Sequence, residues 1–143
     1  MNLNQMIKLN DASKKRLAGV HPDLQKVINK AAELSDMKFI VTEGLRTVDR
    51  QRQLVKAGAS RTMNSRHITG HAVDLAVWVD ADGDGVVDGG EIRWDWPLYA
   101  KLSKIVKEAA KAVGVPIEWG GDWRSFKDGP HYQLPAKLYP KRS

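Results

Sequence analysis

Residues 65–79 read SRHITGHAVDLAVWV, and the second half of this stretch decides the fold. From Ala72 to Val79 the side chains divide with period two, the pattern of a strand. Asp74 and Ala76 fall on one face, while Val73, Leu75, Val77 and Val79 fall on the other. The strand therefore sets one carboxylate among small and apolar neighbours, directly after a polar, irregular segment at residues 60–69.

Helical patterns lie to either side of it. Residues 22–35, PDLQKVINKAAELS, place Leu24, Val27, Ile28, Ala31, Ala32 and Leu34 at helical spacing, with Pro22 suited to the first turn. Lys38–Thr42 reads as a short buried strand. Thr47 suits the cap of a second helix, TVDRQRQLVKAG, which Gly58 would end. Pro97–Val113 is the most persuasive helix, with Gly114 as its stop, and a last strand pair is expected around Ile117–Trp119 and His131–Leu134. This order predicts an α+β fold, with helices packed on a small, mainly antiparallel sheet. A chain of 143 residues without repeats or a linker-like segment is expected to form a single domain over residues 1–143.

Composition narrows the chemistry. With 42% hydrophobic and 28% charged residues, the chain has the make-up of a globular protein that can bury a core. There is no cysteine, so disulfide scaffolds, thiolate metal sites and cysteine nucleophiles are all excluded. The N-terminus lacks the apolar run of a signal peptide, and no segment approaches the roughly 18 apolar residues of a membrane helix. Accumulation in the cytoplasm without membrane insertion is the expectation. The net charge of +6 suits anionic partners such as bacterial wall, nucleic acid or anionic lipid, but Lys and Arg are dispersed and no nucleic-acid motif accompanies them.

Any metal must then be held by His and carboxylate. The four histidines are His21, His67, His71 and His131. His67 precedes the central strand, Asp74 lies on it, and His131 opens the last predicted strand. Two imidazoles and one carboxylate are the usual complement of a catalytic zinc, with the fourth position open for water. One anionic ligand leaves such a site net positive, able to acidify water and polarise a carbonyl. His67 and His71 are four apart, as in the helical H-E-x-x-H motif, but Ile68 stands where that motif has its Glu and Gly70 would interrupt the helix. His71 thus reads as a neighbour or surface residue, and His21, before Pro22, as a helix cap or surface residue.

A second constellation spans Asp80–Glu91, DADGDGVVDGGE, and fits the twelve-residue EF-hand loop. Asp80, Asp82 and Asp84 take positions one, three and five, and Gly85 the sharp turn at six. Val86 offers its backbone carbonyl, Asp88 a direct or water-borne ligand, and Glu91 the bidentate twelfth ligand. Five carboxylates in twelve residues repel one another without a cation, so Ca²⁺ is the expected occupant. A strand rather than a helix enters the loop, so an EF-hand-like opening motion is not expected. Calcium is expected either to support activity by ordering the strand that carries Asp74 or to serve structure alone.

The segment SRHITGHAVD resembles the S-x-H-x-x-G-x-A-x-D motif of the D-Ala-D-Ala carboxypeptidase and dipeptidase superfamily of zinc peptidases. WGGDW (residues 119–123) and DGPH (residues 128–131) are similar to the phage L-alanyl-D-glutamate peptidases, the single-domain endolysins. The resemblance runs from about Gly44 to Leu134. It implies the Hedgehog/DD-peptidase fold, Zn²⁺ on His67, Asp74 and His131, and peptidoglycan stem peptide as substrate. It also implies storage in the host cytoplasm and release to act on the wall in the periplasm; a monomer is the default expectation.

By the same resemblance Asp128, three residues before His131, is the catalytic base, where the superfamily usually has Glu; Asp122 and Glu118 are fallbacks. Asp128 also suits a plain turn in Lys127–Pro130. Arg46 matches the arginine over the scissile carbonyl, able to stabilise an oxyanion or clamp a carboxylate, unless it simply pairs with Glu43 or Asp49. Ser65 matches the motif serine and is expected to bond substrate or hold the loop; Trp119 and Trp123 line a groove or pack in the core. The leading expectation is a zinc L-alanyl-D-glutamate endopeptidase. Its rivals are a D-Ala-D-Ala carboxypeptidase with the same zinc site and a non-catalytic, calcium-dependent wall-binding module.

Overall fold

The predicted central strand is the middle of the sheet. In the computed structural model, which describes residues 9–60, 63, 65–87, 89–125 and 127–140, Ala72–Trp78 forms β2, and every strand pairing in its sheet is antiparallel. The helices are α1 (Asp11–Ala18), α2 (Pro22–Leu34), α3 (Val48–Lys56) and α4 (Trp96–Val113). The remaining strands are β1 (Phe39–Glu43), β3 (Ile92–Arg93), β4 (Glu118–Trp119) and β5 (His131–Gln133). The expected α+β architecture, helices on a small antiparallel sheet, is what the chain adopts.

The strand order is β1-β2-β5-β4, with β3 also paired to β2. A strand has two edges, and β1 runs along one of them, with Phe39 opposite Val77 and Val41 opposite Leu75. The other edge is shared. Its C-terminal end pairs with β3, while its N-terminal half pairs with β5, which sets Asp74 opposite His131.

The period-two reading of β2 gives its two faces. Val73, Leu75 and Val77 join one buried cluster with Leu24, Val27 and Ile28 of α2 and Leu102 and Val106 of α4. Burying an aliphatic side chain of this size contributes about 1.5–3 kcal/mol, so this layer anchors the sheet. Ala76 lies on the opposite face in a smaller cluster with Ile40 and Trp78. Strand β2 ends one residue before Val79, which is 47% exposed and leaves the core face it was assigned by alternation.

The caps follow local chemistry. Thr47 Oγ1 accepts the Arg50 N–H at 3.0 Å, and His21 Nδ1 accepts the Asp23 N–H at 3.1 Å. Gly114 ends α4 in the left-handed region at φ 73°. Helix α1 has no counterpart in the sequence reading, because only Ser13 and Leu17 of its residues are buried and no apolar stripe forms. Leu34 is the one position of the α2 pattern that faces out. Between β1 and α3 the chain crosses α1 so closely that a Cβ at Gly44 would lie 2.1 Å from the Arg16 carbonyl oxygen. Among the described residues, no helix is long and apolar enough to cross a membrane.

Candidate metal centre and active site

Three side chains from distant segments meet where β2 and β5 lie side by side. His67 comes from the turns before β2, Asp74 from β2 itself, and His131 from the first residue of β5. One nitrogen of each ring and one carboxylate oxygen lie within 4.8 Å of one another. Asp74 Oδ1 is 3.2 Å from both His67 Nε2 and His131 Nδ1. The two rings are edge to face, 5.1 Å between centroids, and both are buried.

The ring environment determines what these atoms offer. His67 Nδ1 lies 2.9 Å from the Gly44 carbonyl oxygen, which only accepts, so Nδ1 carries the hydrogen and donates it. In the neutral ring Nε2 is then a bare lone pair facing a carboxylate, two acceptors at contact distance. Such a pair is relieved either by a second proton on the ring or by a cation, and two imidazoles with one carboxylate could hold a zinc-like ion. Burial alone would raise Asp74, but when the two rings are protonated on both nitrogens, hydrogen bonds from His131 and His67, with their positive charge, hold it well below the ordinary carboxylate range. Burial opposes charging of His131, yet the Asp74 hydrogen bond and charge and the Gln133 hydrogen bond raise it overall.

The cluster lies in a cleft of about 750 Å³ that Arg46, Ser65, Trp123 and Asp128 also line. Asp128 is placed by its backbone. Its N–H donates to the Gly120 carbonyl at 3.0 Å, and its own carbonyl accepts the His131 N–H at 3.2 Å. A Cβ at Gly120 would sit 2.4 Å from the Asp128 carbonyl oxygen, so glycine there permits the approach. Burial, followed by the nearby charge of Asp74, raises the Asp128 carboxyl; His131, His67 and Arg46 oppose the rise. A carboxylate with raised proton affinity at a metal-type cluster has the chemistry of a general base.

Arg46 is buried and held as a rigid fork. Nε and Nη2 donate to the two Glu43 carboxylate oxygens at 2.7 and 2.6 Å, and Nη1 donates to Gln51 Oε1 at 2.7 Å. Nη2 also lies 3.7 Å from Asp74 Oδ2, so the guanidinium both pairs with Glu43 and borders the cluster. Asp49, the alternative partner in the sequence, accepts from Arg52 instead. Ser65 Oγ accepts the His67 N–H at 3.2 Å, a contact that holds the loop.

The fallback acids sit elsewhere. Asp122 is exposed and paired with Lys107, and Glu118 accepts a hydrogen bond from Gln133. Of the two tryptophans, Trp119 is a core residue whose Nε1 donates to the Gly129 carbonyl, whereas Trp123 packs on the His131 ring at 5.1 Å. His71 is 3% exposed, so it is no surface residue; its Nδ1 lies 2.6 Å from Thr69 Oγ1, outside the cluster. Sequence reasoning missed Gln51 and Gln133. Gln133 carried a usable signal, since it stands two residues after His131 on a strand and so shares its face.

The acidic loop joins β2 to β3. Carboxylate oxygens of Asp80, Asp82, Asp84 and Glu91 lie within 4.8 Å of one another, while Asp88 is outside the described residues. Backbone N–H groups already bind several of these acids: Gly85 donates to Asp80 Oδ2, Val86 to Asp84 Oδ1 and Ala81 to Glu91 Oε2. Among the described residues Asp80 Oδ1 is buried without a hydrogen-bond partner, which fits a site built for a cation with oxygen ligands. Val86 is exposed.

Fold and cluster together set two histidines and an aspartate that could hold a metal in a cleft on a mixed helix–sheet scaffold. A family model described as phage L-alanyl-D-glutamate peptidase matches residues 5–134, and the chain belongs to that family. It is similar to the L-alanyl-D-glutamate peptidase of Escherichia phage T5, 34% identical over 125 residues that make up 85% of each chain. It is also similar to the peptidoglycan L-alanyl-D-glutamate endopeptidase CwlK of Bacillus subtilis, 31% identical across 80% of this chain and 73% of that one. The crystal structure of the Serratia marcescens L-Ala D-Glu endopeptidase ChiX superposes with a TM-score of 0.79 at 44% identity, covering 93% of this chain and 94% of that one.

Proposed function

We propose that this protein is a zinc endopeptidase that hydrolyses the L-alanyl-D-glutamate amide bond of peptidoglycan stem peptides. The observation that carries the reading is the convergence of His67 Nε2, His131 Nδ1 and Asp74 Oδ1 in a cleft that Asp128 also lines. Zinc held there supplies Lewis-acid chemistry for amide hydrolysis. Asp128 takes the proton from the attacking water and returns it to the leaving amine, the transfer a general base with raised proton affinity is suited to make. Arg46, fixed by Glu43 and Gln51, presents its guanidinium at the border of the cluster to stabilise charge on the scissile carbonyl oxygen. Ser65 holds the His67 turn and faces the cleft beside the substrate.

Calcium belongs to the same reading. Asp80, Asp82, Asp84, Asp88 and Glu91, with the Val86 carbonyl, bind Ca²⁺ at the end of the strand that carries Asp74. The bound ion orders the loop and supports activity. The protein works as a monomer, waits in the host cytoplasm and reaches the wall from there. Its charge of +6 favours adhesion to anionic wall polymers.

The test is turbidity clearing of outer-membrane-stripped cells by wild type and Asp128→Ala at matched zinc occupancy. Loss of general-base catalysis predicts a rate about 10²–10⁴-fold lower for the variant. Equal clearing by the two proteins contradicts the role of Asp128, and a wild type that binds wall without clearing it restores the binding-module rival.

A further inference from the structure

We infer that Gln133 and Glu118 are positioning residues that fix the tautomer of His131, so that its Nδ1 lone pair faces the metal position; the inference rests on the zinc reading above. The relay crosses three strands. Asp74 on β2 is the register partner of His131 on β5, and Gln133 on β5 is the register partner of Glu118 on β4. His131 Nε2 lies 2.8 Å from Gln133 Oε1, and Gln133 Nε2 donates to Glu118 Oε2 at 3.1 Å.

The direction of each bond follows from the last member. An ionised carboxylate only accepts, so Glu118 demands the amide NH₂ of Gln133 and turns the amide oxygen toward His131. That oxygen also only accepts, so His131 Nε2 must carry the hydrogen, and Nδ1 keeps its lone pair. With the amide reversed, its NH₂ would meet Nε2 and force the hydrogen onto Nδ1, which is the nitrogen that faces Asp74. His67 is locked in the opposite tautomer by a backbone carbonyl, which cannot be reversed by side-chain rotation. The pair of histidines thus presents Nε2 from one ring and Nδ1 from the other, and only the second depends on side chains. Tyr132, between His131 and Gln133, is fully buried in the core and fixes the strand face on which the relay lies.

Zinc affinity measured by competition with a chromophoric chelator tests the inference without using activity. Gln133→Leu and Glu118→Leu are each expected to weaken zinc by about 10–100-fold, the usual cost of losing an outer hydrogen-bond partner, with Glu118→Gln within about threefold of wild type because its amide oxygen still accepts. In zinc-loaded wild type, a slowly exchanging ring N–H resonance is expected on His131 Nε2, and Gln133→Leu should remove it. A role confined to stability lowers the melting temperature but moves neither readout. Glu118→Leu lies on the outermost strand of the sheet order and serves as the test if Gln133→Leu does not fold. Both leucine variants binding zinc like wild type, with the resonance retained, overturn this inference alone. A wild type that binds no zinc overturns the zinc reading with it.

Discussion

The His67–Asp74–His131 cluster and the Asp80–Glu91 loop share strand β2 but are built by opposite means. The cluster collects residues 64 positions apart, from His67 to His131, and holds them by backbone register and by bonds to Gly44 and Gln133. The loop takes all its acids from twelve consecutive residues and holds them by short-range bonds from its own N–H groups. In the cluster His67 and His131 are buried; among the described acids of the loop Asp82 and Asp84 are exposed and only Glu91 is buried. On the proposed reading, tertiary structure sets the cluster in place before zinc arrives. On the same reading, the locally assembled loop keeps several like charges that calcium would relieve.

That difference predicts which changes spread and which stay local. The largest effect is expected from His67→Ala, which removes a ligand outright: zinc affinity should fall by more than the roughly 100-fold limit of an outer-partner loss, and wall clearing should cease. Calcium titration of the same variant, followed calorimetrically, should be unchanged. Next comes Arg46→Lys, which keeps the charge and loses the fork onto Glu43. Its kcat is expected to drop by as much as about 10²-fold, the cost of one oxyanion donor, while zinc content measured by atomic absorption stays at the wild-type level. Glu91→Gln removes one charged ligand from the loop, so calcium affinity should fall by about 10–100-fold, equivalent to about 1.5–3 kcal/mol for a charged partner. Zinc affinity should not move, and activity should become less responsive to added calcium. Activity that ignores calcium-selective chelation in wild type, zinc retained, removes the supporting role and leaves calcium a structural ion.

The smallest expected effect lies beside the cluster. Burial, with the charges of Arg66 and His21, depresses His71 below the ordinary histidine range. The unfolded chain therefore binds the proton more readily, and the stability held by neutral His71 is present above pH 6.5 and lost as pH falls through the folded value. Urea denaturation at pH 7.5 and 5.5 should show wild type losing more stability on acidification than His71→Gln. An equal loss in both assigns the acid sensitivity to other groups.

What could be read from the sequence followed the same divide. The loop was complete in its spacing, because an EF-hand-type site is a local pattern. Helices α2 and α4 and strand β2 were visible because long amphipathic or alternating runs leave a period. Helix α1 was not, with two buried residues, and neither was β3, with two residues in all. His67, Asp74 and His131 could be named as suitable ligands because histidines are few, but their convergence depends on β2–β5 register, which no local pattern encodes. For the same reason the Gln133–Glu118 pair and the Gln51 bond to Arg46 surface only in three dimensions, whereas the Glu43–Arg46 pair is already an alternative in the sequence. Arg46 matches the family arginine expected over the scissile carbonyl, and its fork onto Glu43 explains how it can hold that position.

The most direct test is mass spectrometry of purified peptidoglycan digested with the zinc-loaded protein. The expected products are stem peptides with a new amino-terminal D-glutamate, leaving L-alanine on the glycan strand, and they should be absent with Asp128→Ala. Loss of terminal D-alanine with the L-alanyl-D-glutamate bond intact would contradict the endopeptidase reading and identify a carboxypeptidase instead.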